Sequence, residues 1–135
     1  MTNIERKSQN KNDQIIGIVQ IKQVNNINLK ESGIMKLLTK EIEKELEKYP
    51  IGSQDDLGED AKVIVKYFNP CGAGTWLVTE AEKQADGDWL LFGYACITDW
   101  EWGYTLLSEL ENIALPYGMK IERDLYSSGT VKELV

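Results

Sequence analysis

Three runs of β-branched and aromatic residues, separated by short turn signals, constrain this chain more than any other feature of its sequence. The runs are residues 61–68, 75–82 and 89–97, and the turns contain Asn69-Pro70 and Asp86-Gly87. Parallel strands need a crossover of about a dozen residues or more, so connections this short predict antiparallel pairing. The third run is the most apolar, and we expect it to lie at the centre of the sheet.

Helical periodicity occurs on both sides of these runs. Apolar residues recur at steps of three and four within residues 39–49, with Thr39 as a cap and Pro50 as a stop. A fourth strand is predicted at 102–105, then a short helix ending near Ile113, then a last strand at 119–126. The predicted fold class is α+β: an antiparallel sheet of four to five strands, one helix before it and a short helix before the last strand, in a single pair of layers.

Charge divides the chain into two parts. Residues 1–35 carry 5 Lys and Arg against 3 Asp and Glu, whereas residues 36–135 carry 10 against 19, a net charge of −9. All the aromatic residues lie in the second part. We therefore predict an N-terminal extension over residues 1–34, partly disordered or forming a single added strand, a domain over 35–127 and a C-terminal tail over 128–135.

The chain has no His, and this excludes Ser-His and Cys-His nucleophile pairs, His-ligated metals and an imidazole base. A net charge of −7 argues against direct binding of nucleic acid, which requires a basic surface. We expect no cofactor and no metal site. The acidic loop containing Asp55, Asp56, Glu59 and Asp60 lacks the ligand pattern of an EF-hand, and we interpret it as solvated.

Location is predicted from three observations. The longest strongly apolar run, residues 89–98, is about half the ~20 residues that a membrane-spanning helix needs. The first twelve residues are polar and lack the apolar core of an export signal. Two Cys residues, Cys71 and Cys96, in a chain with no export signal favour a reducing compartment. We expect a cytoplasmic protein of a bacterial host, with no membrane partner.

The turn Gly72-Ala73-Gly74 joins two predicted strands. A phosphate-binding loop follows a strand, opens a helix and usually supplies a Lys, and this turn does not meet those conditions. We interpret it as a hairpin turn whose glycines adopt positive φ angles.

A longer pattern extends over most of the chain. It consists of F-x-P-x-G-A-x-T-W at 68–76, followed by Thr79-Glu80, then E-x-G-Y at 101–104 and I-E-R-D-L at 121–125. Over residues 35–126 the chain resembles an uncharacterised domain-of-unknown-function family encoded by phages, plasmids and integrative elements. The resemblance implies a cytosolic accessory protein of a mobile genetic element and implies no particular activity. Small acidic proteins in such settings often block host defence, as anti-CRISPR proteins do.

Aromatic residues are dense between positions 76 and 104, and most of them should build the core. Trp100 and Trp102 flank Glu101, and side chains alternate between the two faces of an extended segment. One of the two alternating sets must therefore face outward. Exposed aromatic and acidic residues are typical of protein-contact and ligand-binding surfaces. The predicted surface consists of Trp76, Asp99, Trp100, Glu101, Trp102, Tyr104 and Arg123.

Arg123 is the only Arg after position 6, and Glu122 and Asp124 flank it. We interpret it as one half of a cross-strand ion pair with Glu101 or Glu80. A catalytic pair of carboxylates with Arg123 as an electrostatic clamp is the alternative. Because no nucleophile or cofactor motif accompanies these residues, we predict no catalytic residue.

Three functions follow from these observations. The leading hypothesis is a small acidic, non-catalytic binding protein of a mobile genetic element. It would act as an anti-defence inhibitor that occupies a basic surface of a host protein, such as the channel of a nuclease. The first alternative is a sponge or sensor that binds a nucleotide or small metabolite near Trp76, Trp102 and Arg123. The second is an enzyme that uses carboxylates.

Overall fold

The computed structural model describes residues 36–135. The predicted N-terminal extension, including its possible added strand, lies outside the described residues. Within the described part, the predicted α+β class with an antiparallel sheet and a preceding helix is confirmed.

Within residues 36–135, three helices and two 3₁₀ turns accompany the sheet. Helix α1 spans Lys40–Glu47, and the hydroxyl of Thr39 accepts the N–H of Ile42 at 3.2 Å, as the predicted cap requires. Helices α2 (Leu107–Glu111) and α3 (Val131–Leu134) are short. None of the helices among residues 36–135 is long and apolar enough to cross a membrane. The 3₁₀ turns are Asp55–Asp60 and Pro116–Gly118.

The main sheet has five antiparallel strands in the order β5-β4-β3-β2-β6. The central strand is therefore β3, and the expectation that the more apolar β4 is central was wrong. A separate two-stranded ladder pairs β1 with β7. The strands are β1 (Lys62–Val63), β2 (Val65–Phe68), β3 (Thr75–Lys83), β4 (Trp89–Cys96), β5 (Trp100–Leu106), β6 (Glu122–Arg123) and β7 (Gly129–Thr130).

The sheet has an apolar layer on each side. Helices α1 and α2 cover one side, the helix face, with Leu46 and Leu110 almost fully buried against the strands. The other side, the second face, carries a smaller cluster that includes Leu77. The buried strand residues of the helix face are Val65, Tyr67, Trp76, Val78, Ala81, Trp89 and Leu91.

Two side chains hold the backbone just before α1 against the helix face. The hydroxyl of Tyr67 donates to the carbonyl of Leu37 at 2.6 Å, and the guanidinium Nη1 of Arg123 donates to the carbonyl of Lys36 at 2.8 Å. Burial raises the pKa of Tyr67, so its hydroxyl remains a donor throughout the physiological range. These two bonds fix the start of α1 relative to β2 and β6.

The segment predicted to be a tail, residues 128–135, is part of the domain. Gly129 and Thr130 pair with β1, and Val131 is fully buried. The backbone N–H of Val131 donates to the carbonyl of Ala61 at 3.0 Å. A two-residue strand has too short a pattern for sequence periodicity to detect, which is why the prediction was wrong here.

The turn at residues 72–74 does join two strands, but its two glycines differ. Gly74 has a φ of +139°, and a Cβ there would lie 3.1 Å from the ring of Trp76. Gly72 has an ordinary φ and open space around it. The expectation of positive φ therefore holds for Gly74 and was wrong for Gly72.

We predict that Gly93→Ala strongly destabilises the domain. A Cβ on Gly93 would lie only 1.9 Å from the backbone oxygen of Leu77 on the adjacent strand, so the two strands would have to separate. Overpacking of this kind costs about 3 kcal/mol. A Cβ on its cross-strand partner Gly103 would meet nothing within 4 Å, so Gly103→Ala should leave the free energy of unfolding almost unchanged. Urea unfolding measures both, and equal losses for the two variants would contradict the close approach.

Candidate functional site

Five aromatic rings lie side by side on the second face of β4 and β5. The register places Tyr94 opposite Trp102 and Phe92 opposite Tyr104, so alternate residues of both strands share this face. The ring centroids of Tyr94 and Trp102 are 4.9 Å apart, and those of Phe92 and Tyr104 are also 4.9 Å apart. We call Phe92, Tyr94, Trp100, Trp102 and Tyr104 the aromatic face.

One end of the aromatic face is held in the smaller core, and the other end is open. Tyr94 and Trp100 stack at 5.1 Å and pack against the cluster that contains Leu77. Trp102 is 39% exposed and Tyr104 is 59% exposed. The packed end restricts the rings, so the exposed end presents a preorganised surface to solvent.

A loop beside the aromatic face is attached to the sheet through one buried carboxylate. Glu80, on β3, is 1% exposed. Its two oxygens accept the backbone N–H groups of Gly52 and Gln54, each at 2.7 Å. A buried carboxylate is costly unless hydrogen bonds satisfy it, and these two bonds satisfy it with the loop itself.

The side chain of Gln54 adds a second attachment. Its amide nitrogen donates to the carbonyls of Lys62 and Thr79, at 2.9 and 2.8 Å, and its oxygen accepts the N–H of Lys62 at 2.7 Å. The following acidic turn, Asp55–Asp60, is exposed along its whole length. Glu80 and Gln54 therefore hold an exposed acidic segment at a fixed position on the second face.

A cavity of about 200 Å³ lies between the acidic turn and the aromatic face. We call it the acidic-aromatic cavity. Asp55 and Trp102 are among the residues that line it, and neither Lys nor Arg does. An aromatic ring together with a carboxylate favours an organic cation such as a guanidinium. Its lining residues are Gln54, Asp55, Gly58, Ala61, Thr79, Glu80, Phe92 and Trp102.

The structure brings part of the predicted surface together and separates the rest. Asp99, Glu101, Trp102 and Tyr104 are all exposed in β5 or in the turn before it, and Trp100 is half-buried beside them. Trp76 is buried on the helix face, and Arg123 lies on β6 at the opposite edge of the sheet. The predicted pocket of Trp76, Trp102 and Arg123 is therefore not formed.

Sequence reasoning missed four contributors to the site: Phe92, Tyr94, Gln54 and Asp55. Phe92 and Tyr94 alternate with small or apolar residues along β4, and that period of two was the available signal. No local pattern marked Gln54, because its partners are eight and twenty-five residues away.

The predicted ion pairs of Arg123 were wrong. Glu101 lies on β5, at the other edge of the sheet, and the carboxylate of Glu80 binds the Gly52–Gln54 backbone on the other face. Glu122 lies opposite Phe68 on β2.

Asp124 interacts with its own loop and with β2. The hydroxyl of Ser127 donates to its carboxylate at 2.6 Å, and the ammonium of Lys66 lies 3.8 Å away. The Ser127 hydroxyl, followed by the backbone N–H of Tyr126, lowers the pKa of Asp124. Among residues 36–135, no group of three or more Cys, Asp or Glu side chains is arranged to hold a metal ion.

A family model described as "Protein of unknown function (DUF2958)" matches residues 37–133. The chain belongs to this family. Membership of a domain-of-unknown-function family, predicted from the sequence pattern, is thereby confirmed. No curated protein and no solved structure matches the chain. The DUF2958 match includes the aromatic face, the acidic turn, β7 and all but the last residue of α3, so the candidate site is built entirely from the family domain.

We predict that Glu80→Gln destabilises the DUF2958 domain by about 1–3 kcal/mol, since one loop N–H would meet an amide NH₂ instead of an oxygen. Glu82→Gln is the matched control, because Glu82 is an exposed residue two positions along the same strand. Its change should stay within about 0.5 kcal/mol. Urea unfolding measures both variants. A Glu80→Gln variant as stable as the control would show that the carboxylate does not hold the loop.

Proposed function

We propose that this DUF2958 domain is a non-catalytic binding protein that holds basic side chains of a partner protein. The observation that carries the proposal is the acidic-aromatic cavity, which both Asp55 and Trp102 line. A guanidinium stacks on an aromatic ring and pairs with a carboxylate at the same time. The exposed rings of Trp102 and Tyr104 extend this surface beyond the cavity.

The charge of the domain supports the same conclusion at longer range. Residues 36–135 have a net charge of −9, and the exposed acidic turn Asp55–Asp60 lies beside the aromatic face. A concentration of negative charge attracts basic surfaces and speeds their encounter, while short-range contacts with the rings supply specificity. Such a complex should weaken as salt increases.

Within this proposal the chain is an anti-defence protein of a mobile genetic element, and it works in the cytoplasm of a bacterial host. Its partner is a host protein with a basic surface, such as the nucleic-acid channel of a nuclease. The carboxylates then take the place that phosphates would occupy in that channel. The net charge of −9 and the acidic turn beside the aromatic face support this assignment.

The two alternatives receive less support from the geometry. A nucleotide site needs cations for its phosphates, but Arg123 lies at the far edge of the sheet and carboxylates line the cavity. A carboxylate-dependent enzyme needs an acid placed for proton transfer, whereas both oxygens of Glu80 accept loop N–H groups. We therefore retain binding of a basic partner as the proposed function.

We predict that the domain binds a seven-residue peptide of alternating Arg and Val, and that Trp102→Ala and Asp55→Asn each weaken this binding. Losing a cation–π or charge-assisted contact of about 1 kcal/mol gives roughly fivefold weaker binding. Isothermal titration calorimetry at low and high salt measures the affinity. The same peptide with Glu in place of Arg should not bind.

Two matched variants test whether the cavity itself accounts for binding of the peptide. Tyr126→Ala removes a ring that is 93% exposed elsewhere on the domain, and Glu47→Gln removes one exposed negative charge on α1. Both should bind the peptide as the unmodified domain does. If Glu47→Gln weakened binding as much as Asp55→Asn, net charge alone would explain the affinity and the assigned site would be wrong.

A further inference from the structure

Strand β5 forms one edge of the main sheet. Its seven residues, Trp100–Leu106, pair with β4 in continuous register from Cys96↔Trp100 to Leu90↔Leu106. Among residues 36–135, no strand pairs with its other side. An edge of this kind presents a row of backbone N–H and C=O groups that can pair with another chain.

Most of the features that usually protect an exposed edge are missing from β5, and Glu101 is its one charged residue. Natural edges are kept short, carry Lys or Pro, or are interrupted by a bulge. The sequence of β5 is WEWGYTL, with neither Lys nor Pro, and its register with β4 has no shift. Residues 101–104 are all exposed. At the opposite edge, by contrast, Glu122–Arg123 is only two residues long.

We propose that the outer edge of β5 binds an extended basic segment of the partner protein by strand addition. This inference rests on the proposed function and adds the manner of binding. Backbone hydrogen bonds would supply part of the affinity, and the side chains on the two faces of β5 would select the sequence.

The two faces of β5 require different side chains from an added strand. Residues on one parity would lie beside Trp102 and Tyr104, where basic side chains can stack on exposed rings. Residues on the other parity would lie beside Glu101, Gly103 and Thr105, and a Cβ placed on Gly103 would meet nothing within 4 Å. A cavity of about 220 Å³ lies there, with Leu91 and Leu110 among its lining residues. The matching segment therefore alternates basic and aliphatic residues.

Charge decides between a partner segment and a second copy of this domain. Asp99 and Glu101 lie at the Trp100 end of the edge and are exposed. Pairing two β5 edges would bring together two domains that each have a net charge of −9. Like net charges repel, whereas a basic segment complements the exposed carboxylates.

Backbone methylation of the probe tests the proposal without altering its charge. In an extended peptide of alternating Arg and Val, all Arg N–H groups point to one edge and all Val N–H groups point to the other. We compare the parent heptapeptide with one peptide N-methylated at its Val residues and one N-methylated at its Arg residues. Strand addition predicts that one methylated peptide binds about tenfold more weakly or worse, while the other binds like the parent.

The other outcomes separate this inference from the proposed function. If both methylated peptides bind like the parent, the basic side chains dock without strand addition, so this inference fails and the proposed function stands. If both lose affinity equally, both edges of the peptide are engaged, which a single sheet edge cannot do, and the inference again fails. If the parent peptide does not bind, both proposals are overturned.

Amide hydrogen exchange of the full chain provides a second readout. With the parent peptide bound, alternate amides of residues 101–105 should become protected from exchange. The peptide that loses affinity should protect none of them at the same concentration. Protection confined to tryptophan side-chain N–H groups would indicate contact with the rings alone and would overturn strand addition.

Discussion

The hydrogen bonds of the Glu80 carboxylate are the interaction on which the candidate site depends. The carboxylate is buried, and its two oxygens bind the backbone N–H groups of Gly52 and Gln54. Those bonds, with the amide of Gln54, hold the acidic turn that follows beside Trp102. Without them the exposed acids would belong to a free loop, and a loop must lose conformational entropy before it can bind.

A bulge in β3 places Glu80 where it can make these bonds. In a regular strand, Glu80 would share the face of Trp76 and Val78 and would point into the core under the helices. The pairing of β3 with β4 shifts register between Val78 and Glu80, so that Glu80 lies opposite Phe92 on the second face. The extra residue therefore moves one carboxylate from an apolar core to the loop that it binds.

The parts of the fold that are predictable from sequence are those with local causes. Connections too short for a crossover dictate antiparallel strands, and Thr39 with its apolar stripe dictates α1. The order of the strands has no local cause, so the pairing of Arg123 with Glu101 could not be judged before the sheet placed them at opposite edges. The bulge in β3, which moves Glu80 to the other face of the sheet, likewise arises from pairing with β4 and has no local cause in the sequence. For the candidate site, the sequence shows the alternation around Trp102. It gives no sign that the loop containing Gln54 and Asp55 completes the site.

Under the proposed function, the combination of rings and carboxylates at one edge would make a strongly acidic domain selective. Charge alone attracts any basic protein, and salt screens that attraction over about 8–10 Å. The aromatic face acts only at contact, and its packed end at Tyr94 and Trp100 limits the entropy lost when a partner binds. An unprotected strand beside it adds a geometric requirement, since only an extended segment can pair with β5. For the proposed partner, three conditions with different ranges, namely net charge, a ring within reach and an extended backbone, would therefore be more restrictive together than any one of them alone.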